Sequence, residues 1–464
     1  MHDSKTERVL LIGLDCATPQ FVFGPDRFNL PNLDRLMKAG CWGRLKSCDP
    51  PITVPAWAAM MSSKDPGTLG HYGFRNRKDH SYDAMFTANA TAVKEPRVWD
   101  ILARHQKKSV LLGVPQTYPI KPLPGATIVS GFLAPDTSVD YTYPKTVKEE
   151  IVQRFGDFIL DVRDFRTDQK EKLLKRIYEL MHNRFDVAEY LMESKPWDFF
   201  MMVEMGVDRI HHGMWQFADP THPRYEPNNP YATAIFDYYA AVDERIGRLL
   251  DKVGDETSVL VVSDHGAKPM VGGICVNQWL IEEGLLTVND DLDGPKRIED
   301  CDIDWARTKC WSSGGYLARM FFNVEGREPN GIVPQAEYES FRAEMIDRIE
   351  AMVNHEGQPL NNKIHRPEDL YARVRGTAPD LIIYFGDLYW RSVGMVGFDS
   401  IYTFENDTGP DGANHDHHGI FIMDDRTARN GESKEGLEIM DIAPTVLQLL
   451  GVQVPRDMQG KVIT

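Results

Sequence analysis

Cysteine is sparse and unpaired in this sequence. Its six residues, Cys16, Cys41, Cys48, Cys275, Cys301 and Cys310, form no CxxC pair, which argues against a thiolate zinc site or a disulfide framework. Long apolar runs are missing too: the greasiest, VLLIGL and SVLVVS, are strand-sized and well short of the ~18 residues that a membrane span needs. Basic charge is in deficit. Lys plus Arg number 52 against 69 Asp plus Glu, a formal charge of −17, which argues against a broad electrostatic grip on nucleic acid or an anionic membrane. No GxGxxG follows a strand, no GxxxxGK[ST] occurs, and GxSxG is absent, so phosphate-cradle and serine-hydrolase readings lose their signatures. The N-terminal stretch MHDSKTERVLLIGLD carries no signal-peptide pattern, and the expected location is cytoplasmic.

What is present is a chain of 464 residues, 42% hydrophobic and 10% aromatic, enough to bury a large core. Three apolar runs, at 9–15, 198–208 and 258–266, end in Asp or His, as buried parallel strands do when they deliver polar residues at their carboxyl ends. Amphipathic helical patterns at 30–40, 170–194 and 231–254 alternate with them. The alternation predicts an α/β fold, a mainly parallel central sheet flanked by helices, with the ligand site beyond the strand ends. The whole chain, 1–464, is expected to form one α/β domain. Two stretches rich in Pro, Gly and charge, about 115–170 and 285–375, interrupt the rhythm and are expected to be cap insertions over the site. The run at 380–387 reads as another strand.

The polar strand ends carry the candidate chemistry. Asp15 follows the first run; alone it reads equally as a turn or cap residue. Asp208 and His212, four apart in VDRIHHG, would share one face of a helix and offer a carboxylate and an imidazole together. Asp264 and His265 in SDHG end the third run, where burying both groups calls for a cation to offset their desolvation. GANHDHHG at 412–419 supplies three imidazoles, with His415 preferred as ligand and His418 as the alternative. Thr53 in PPITVPAW is expected just before a helix that opens at about Pro55, a place where amides and the helix dipole favour negative charge. Arg75, Arg77, Arg209 and Lys268 lie near these motifs, where ordinary solvated surface charge is the default reading.

Taken in order, GLD, PPITVPAW, VDRIHH, SDHG and the late His415 resemble the type I phosphodiesterase and nucleotide pyrophosphatase branch of the alkaline phosphatase superfamily. PNLDRLMKAG, DPGTLGHYGFRNR, NQWLIEEGLL and DIAPTVLQLLGVQVPRDMQGK resemble its group described as phosphohydrolases or phosphomutases. The resemblance implies two divalent cations, zinc first with manganese or iron as alternatives. Asp208, His212 and His415 would hold one, and Asp15, Thr53, Asp264 and His265 the other. It also implies Thr53 as nucleophile toward a small-molecule phosphodiester or related ester. Monoester hydrolysis, phosphomutase transfer and a non-catalytic metal- and phosphate-binding role remain alternatives. Two departures stand out. Ala56 occupies the place of an Asn that helps bind a phosphoryl oxygen in well-characterised relatives. Leu69 stands where relatives often carry His, with His71 two residues later. The CxPxR pattern of sulfatases fails after Cys48.

Overall fold

The computed structural model describes residues 7–427 and 429–464. Its largest sheet has nine strands, in the order Glu432–Glu438, Cys41–Lys46, His418–Asp424, Thr257–Val262, Arg8–Leu14, Phe199–Glu204, Ser109–Leu112, Ala126–Val129 and Thr142–Tyr143. From Thr257–Val262 to Ala126–Val129 neighbouring strands run parallel, while His418–Asp424 and Thr142–Tyr143 are antiparallel to their neighbours. The central strands are buried on both faces, which is why they read as continuous apolar runs rather than alternating ones. Helices Lys170–Ser194, Gly206–Ala218, Ala234–Leu250 and Ile442–Leu449 pack into the same core. Among the described residues no helix is long and apolar enough to cross a membrane.

The stretch 115–170 departs from expectation. It contributes the last two strands at one end of the sheet, Ala126–Val129 and Thr142–Tyr143, and the helix Thr146–Phe155, and Ile128, Val129, Tyr141 and Ile151 enter the main core. Its Pro and Gly punctuate short sheet-edge connections rather than a cap. Only its last part, with Asp161 and Arg166, runs to the site.

A second, smaller core lies in the region from 271 to 404. A four-stranded antiparallel sheet, in the order Cys310–Ser313, Ala318–Phe322, Leu381–Tyr384 and Lys363–His365, carries the helix Tyr338–Glu350. Met320, Phe322, Met345, Ile349, Leu381 and Ile383 fill the space between them. This cap begins before 285, with Trp279 and Leu280, and continues past 375 to Trp390, so the strand expected at 380–387 belongs to it. Side chains alternate along Leu381–Tyr384. Leu381 and Ile383 enter the cap core, while Ile382 and Tyr384 join Ile52, Tyr72 and Tyr371 in a separate cluster. Tyr384 Oη also donates to Asp49 Oδ1 at 2.9 Å. The cap is thereby fastened to the segment leading into Thr53.

Candidate active site

Asp15 ends the strand Arg8–Leu14 and is fully buried. The chain turns away immediately after it, Cys16 taking φ 69°, and the Cys16 amide donates to Asp264 Oδ1 at 3.1 Å. Trp57 Nε1 donates to Asp15 Oδ2 at 2.7 Å. That contact requires Gly13, because a Cβ there would lie 2.4 Å from the indole ring. Asp15 Oδ1 has no hydrogen-bond partner.

Asp208 sits in the first turn of the helix Gly206–Ala218 and His212 one turn later, with His212 Nε2 3.3 Å from Asp208 Oδ1. Asp264 and His265 follow the strand Thr257–Val262. The next segment, Gly266–Pro269, pairs antiparallel with Ala413–Asp416, setting Ala267 opposite His415. This pairing brings two sequence-distant motifs together: the rings of His265 and His415 stack at 3.8 Å. His418 begins another strand, half-buried, and belongs to neither convergent donor group.

The helix carrying Thr53 opens at Thr53 itself, with Ile52 at its N-cap, rather than near Pro55. Thr53 is buried, and its Oγ1 lies 3.4 Å from His265 Nε2. The first helical backbone bond runs from the Ala56 amide to the Ile52 carbonyl. Among the described residues the Thr53 and Val54 amides therefore have no backbone acceptor.

All three candidate histidines are tied back through Nδ1: His212 to Asp411 Oδ1 at 2.8 Å, His265 to the Gly266 carbonyl at 3.1 Å, and His415 to the Pro51 carbonyl at 2.8 Å. Each acceptor favours the tautomer that leaves Nε2 facing inward with a lone pair. Four buried atoms point inward without a hydrogen-bond partner: Asp15 Oδ1, Asp208 Oδ1, Asp264 Oδ2 and His415 Nε2. Donor atoms of Asp208, His212 and His415 converge within 4.8 Å of one another, as do those of Asp15, Asp208 and His265. Asp208 thus takes part in both groups. Asp264 stands beside the second, its Oδ2 3.2 Å from His265 Nε2.

The electrostatics match this crowding. Burial, then repulsion from Asp208, pushes the Asp15 carboxyl well up; burial, then Asp15, does the same to Asp264. Burial pushes Asp208 up as well, but His212 and Arg209 outweigh it and hold that carboxyl well down. Burial lowers His265 to about 4 and holds His415 well below the ordinary histidine range, keeping both imidazoles neutral and able to act as ligands. For His212 burial is overcome chiefly by Asp411, and its pKa rises. A divalent cation would reverse the cost of gathering three carboxylates in one buried place.

Several groups at the site carried no sequence signal. Asp411 orients His212 and accepts from Arg166 Nε at 2.7 Å; its closeness to the His cluster in the chain is the one hint. Tyr316, from the cap, stacks on His415 at 3.9 Å, and its Oη is 3.1 Å from His212 Nε2. Three of the four basic residues read as surface charge are instead buried in ion pairs: Arg209 with Asp161 and Asp208, Lys268 with Asp416, and Arg77 with Glu328. Arg75 is exposed. His71 is buried away from these groups.

The family model for type I phosphodiesterase / nucleotide pyrophosphatase matches residues 9–411, ending four residues before His415. No curated protein matches the chain in sequence. Human ectonucleotide pyrophosphatase/phosphodiesterase 5 has a similar structure, with a TM-score of 0.55, 14% identity, and coverage of 97% of this chain and 96% of that one. An inactive murine form of that protein in complex with AMP gives 0.56, 13%, and 97% of each chain. Phosphonoacetate hydrolase from Sinorhizobium meliloti 1021, in complex with phosphonoformate, gives 0.55, 13%, and 96% of each. At these identities the structural likeness speaks to the fold.

Proposed function

Because the chain belongs to the type I phosphodiesterase / nucleotide pyrophosphatase family, we propose that it is a metal-dependent hydrolase that cleaves a phosphodiester or related phosphoryl ester through a phosphothreonine at Thr53. The observation that carries this reading is the set of four partnerless buried atoms on Asp15, Asp208, Asp264 and His415, with three histidines turned inward around them. Gathering several unpaired buried acceptors in one place is costly, and a bound cation would offset that cost.

Asp208, His212 and His415 would hold one cation and Asp15, Thr53, Asp264 and His265 the other, with Asp208 in reach of both groups. The mixed oxygen and nitrogen donor set fits zinc, and also manganese or iron. Bound there, the cations would neutralise phosphoryl charge and favour the ionised form of the Thr53 hydroxyl. Thr53 Oγ1 forms the new bond to phosphorus, the ester bond to the alcohol breaks, and the hydroxyl proton ends on the departing alcohol. Water then cleaves the phosphothreonine and restores Thr53. The free amides of Thr53 and Val54 at the helix start suit the charge developing on the phosphoryl oxygens.

The test uses p-nitrophenyl mono- and diesters with zinc or manganese. Thr53→Ala should keep its metal content and lose turnover by at least ~10³-fold. Unchanged turnover in that variant refutes the mechanism, while monoester preference in the wild type turns the substrate assignment toward phosphatase or mutase chemistry.

A further inference from the structure

Tyr316 reaches the candidate metal histidines from the cap, and its surroundings dictate where its proton goes. The loop carrying it passes against the strand Trp390–Val393 through Gly314 and Gly315, with Gly315 bridged to Ser392. A Cβ at position 314 would lie 2.4 Å from the Gly394 amide nitrogen and 2.8 Å from the Ser392 carbonyl oxygen. Asn414, next to His415, donates to the Tyr316 carbonyl at 3.1 Å, so the backbone is held on two sides. The ring then lies 3.9 Å from that of His415 and 5.3 Å from that of His212.

The hydroxyl closes a circuit of hydrogen bonds. Arg166 Nη2 donates to Tyr316 Oη at 2.7 Å, Arg166 Nε donates to Asp411 Oδ2 at 2.7 Å, Asp411 Oδ1 pairs with His212 Nδ1 at 2.8 Å, and His212 Nε2 faces Tyr316 Oη at 3.1 Å. A guanidinium has no acceptor. Arg166 therefore occupies a lone pair of the phenol oxygen, and the phenol proton must point elsewhere, with His212 Nε2 in reach. In the helix that carries Thr53, Ala56 offers no side-chain donor and Pro55 offers no amide.

We propose that Tyr316 is a substrate-contacting catalytic residue whose hydroxyl donates to a phosphoryl oxygen of the ester, with Arg166 as the residue that positions it. This rests on the phosphohydrolase reading above. The cap would then add a side-chain donor to the backbone amides of Thr53 and Val54, and hydrolysis would depend on the cap being seated.

The experiment uses the full-length zinc-loaded chain and the variants Tyr316→Phe, Arg166→Gln and the double substitution. Phenylalanine preserves the ring stacked on His415, so it removes the hydroxyl alone. Three quantities are measured: metal content, kcat and KM on a p-nitrophenyl ester, and orthophosphate affinity by calorimetry. Tyr316→Phe should keep the wild-type metal content, lower kcat by ~10²-fold with a smaller change in KM, and weaken orthophosphate by about tenfold. Because Arg166 acts through the phenol, adding Arg166→Gln to Tyr316→Phe should lower kcat by only about twofold more. Wild-type kcat and phosphate affinity in Tyr316→Phe overturn the proposal and leave the phosphohydrolase reading standing. Loss of metal from Tyr316→Phe also overturns it, since Tyr316 would then serve the metal site. A wild-type protein that takes up zinc yet neither hydrolyses esters nor binds orthophosphate overturns both.

Discussion

The carboxyl edge of the large sheet and the cap above it bury carboxylates under very different terms. In the cap, Glu328 and Asp380 are almost completely enclosed, yet every oxygen is satisfied: Glu328 Oε1 by Arg77 and His80, Oε2 by the Val324 amide and Arg327, Asp380 Oδ1 by Arg327 and Tyr338, and Oδ2 by Arg327 and the Phe322 amide. At the sheet edge Asp15, Asp208 and Asp264 are equally enclosed, but each keeps one oxygen without a donor. The first arrangement is complete in itself and holds a small domain together. The second leaves valences unmet, and it is found where strand ends converge. Burial of charge alone thus does not mark a site; several unmet valences gathered in one place do.

That contrast can be broken first with acid, where the largest effect is expected. His71 and His211, both buried in or beside the main core, have pKa values lowered by burial to about 4 and about 3, against the ordinary 6.5. A depressed histidine lends stability above its unfolded-state pKa and loses it as pH falls toward the folded-state value, because the unfolded chain takes the proton first. His71 and His211 should therefore withdraw on the order of 5 kcal/mol from the metal-free protein between pH 7 and pH 4, against the opposite contribution of the raised Asp15 and Asp264 carboxyls and of His212. The share of the two histidines is measured by urea denaturation across that range as the difference between wild type and His71→Gln and His211→Gln. Variants with the same pH profile as wild type would mean these histidines find solvent or a partner that the geometry denies them. The next effect in size concerns metal. Asp411→Asn keeps the shape beside His212 but removes the anion that fixes its ring, and should weaken zinc binding by ~10–100-fold, read by competition with a chelator. Zinc affinity equal to that of wild type would place Asp411 among the structural carboxylates instead.

How much of this was legible in the sequence follows the same division. Asp15, Asp264 and His265 stand out because a buried strand writes itself as an apolar run and its carboxyl end as the first polar residue after it. Asp208 and His212 follow from helical spacing. The pairing that sets His415 on His265 is not local, and the sequence marks only the three imidazoles in four residues. The cap resisted the same reading. Its strands are short, its boundaries fall within continuous apolar stretches, and the 115–170 segment has the composition of an insertion while completing the main sheet. Tyr316 lies 104 residues from His212 and 150 from Arg166, and nothing in SSGGYL beyond its paired glycines marks a residue bound for a distant site. Thr53 was placed within two residues of its true position, the discrepancy being the usual ambiguity of a Pro in a helix's first turn.

Those glycines give the finest test of whether the cap handles substrate while the sheet edge handles metal. Gly314→Ala puts a Cβ against backbone atoms of Ser392 and Gly394 at 2.8 and 2.4 Å, where no flexible side chain can give way, so the loop bearing Tyr316 must shift. The seven candidate residues at the sheet edge lie on other segments and keep their places. The variant should hold the same metal content as wild type, retain its overall stability to within ~2 kcal/mol, and lose about tenfold in kcat/KM through displacement of the phenol from its partners. Adding Tyr316→Phe to it should then change little, because the hydroxyl is already out of register. Full activity in Gly314→Ala would show that the loop's close packing is dispensable. Metal loss would show that cap and sheet edge form one cooperative site, since position 314 connects to the candidate ligands through the stacking of Tyr316 on His415, the contact of its hydroxyl with His212 and the Asn414 contact beside them.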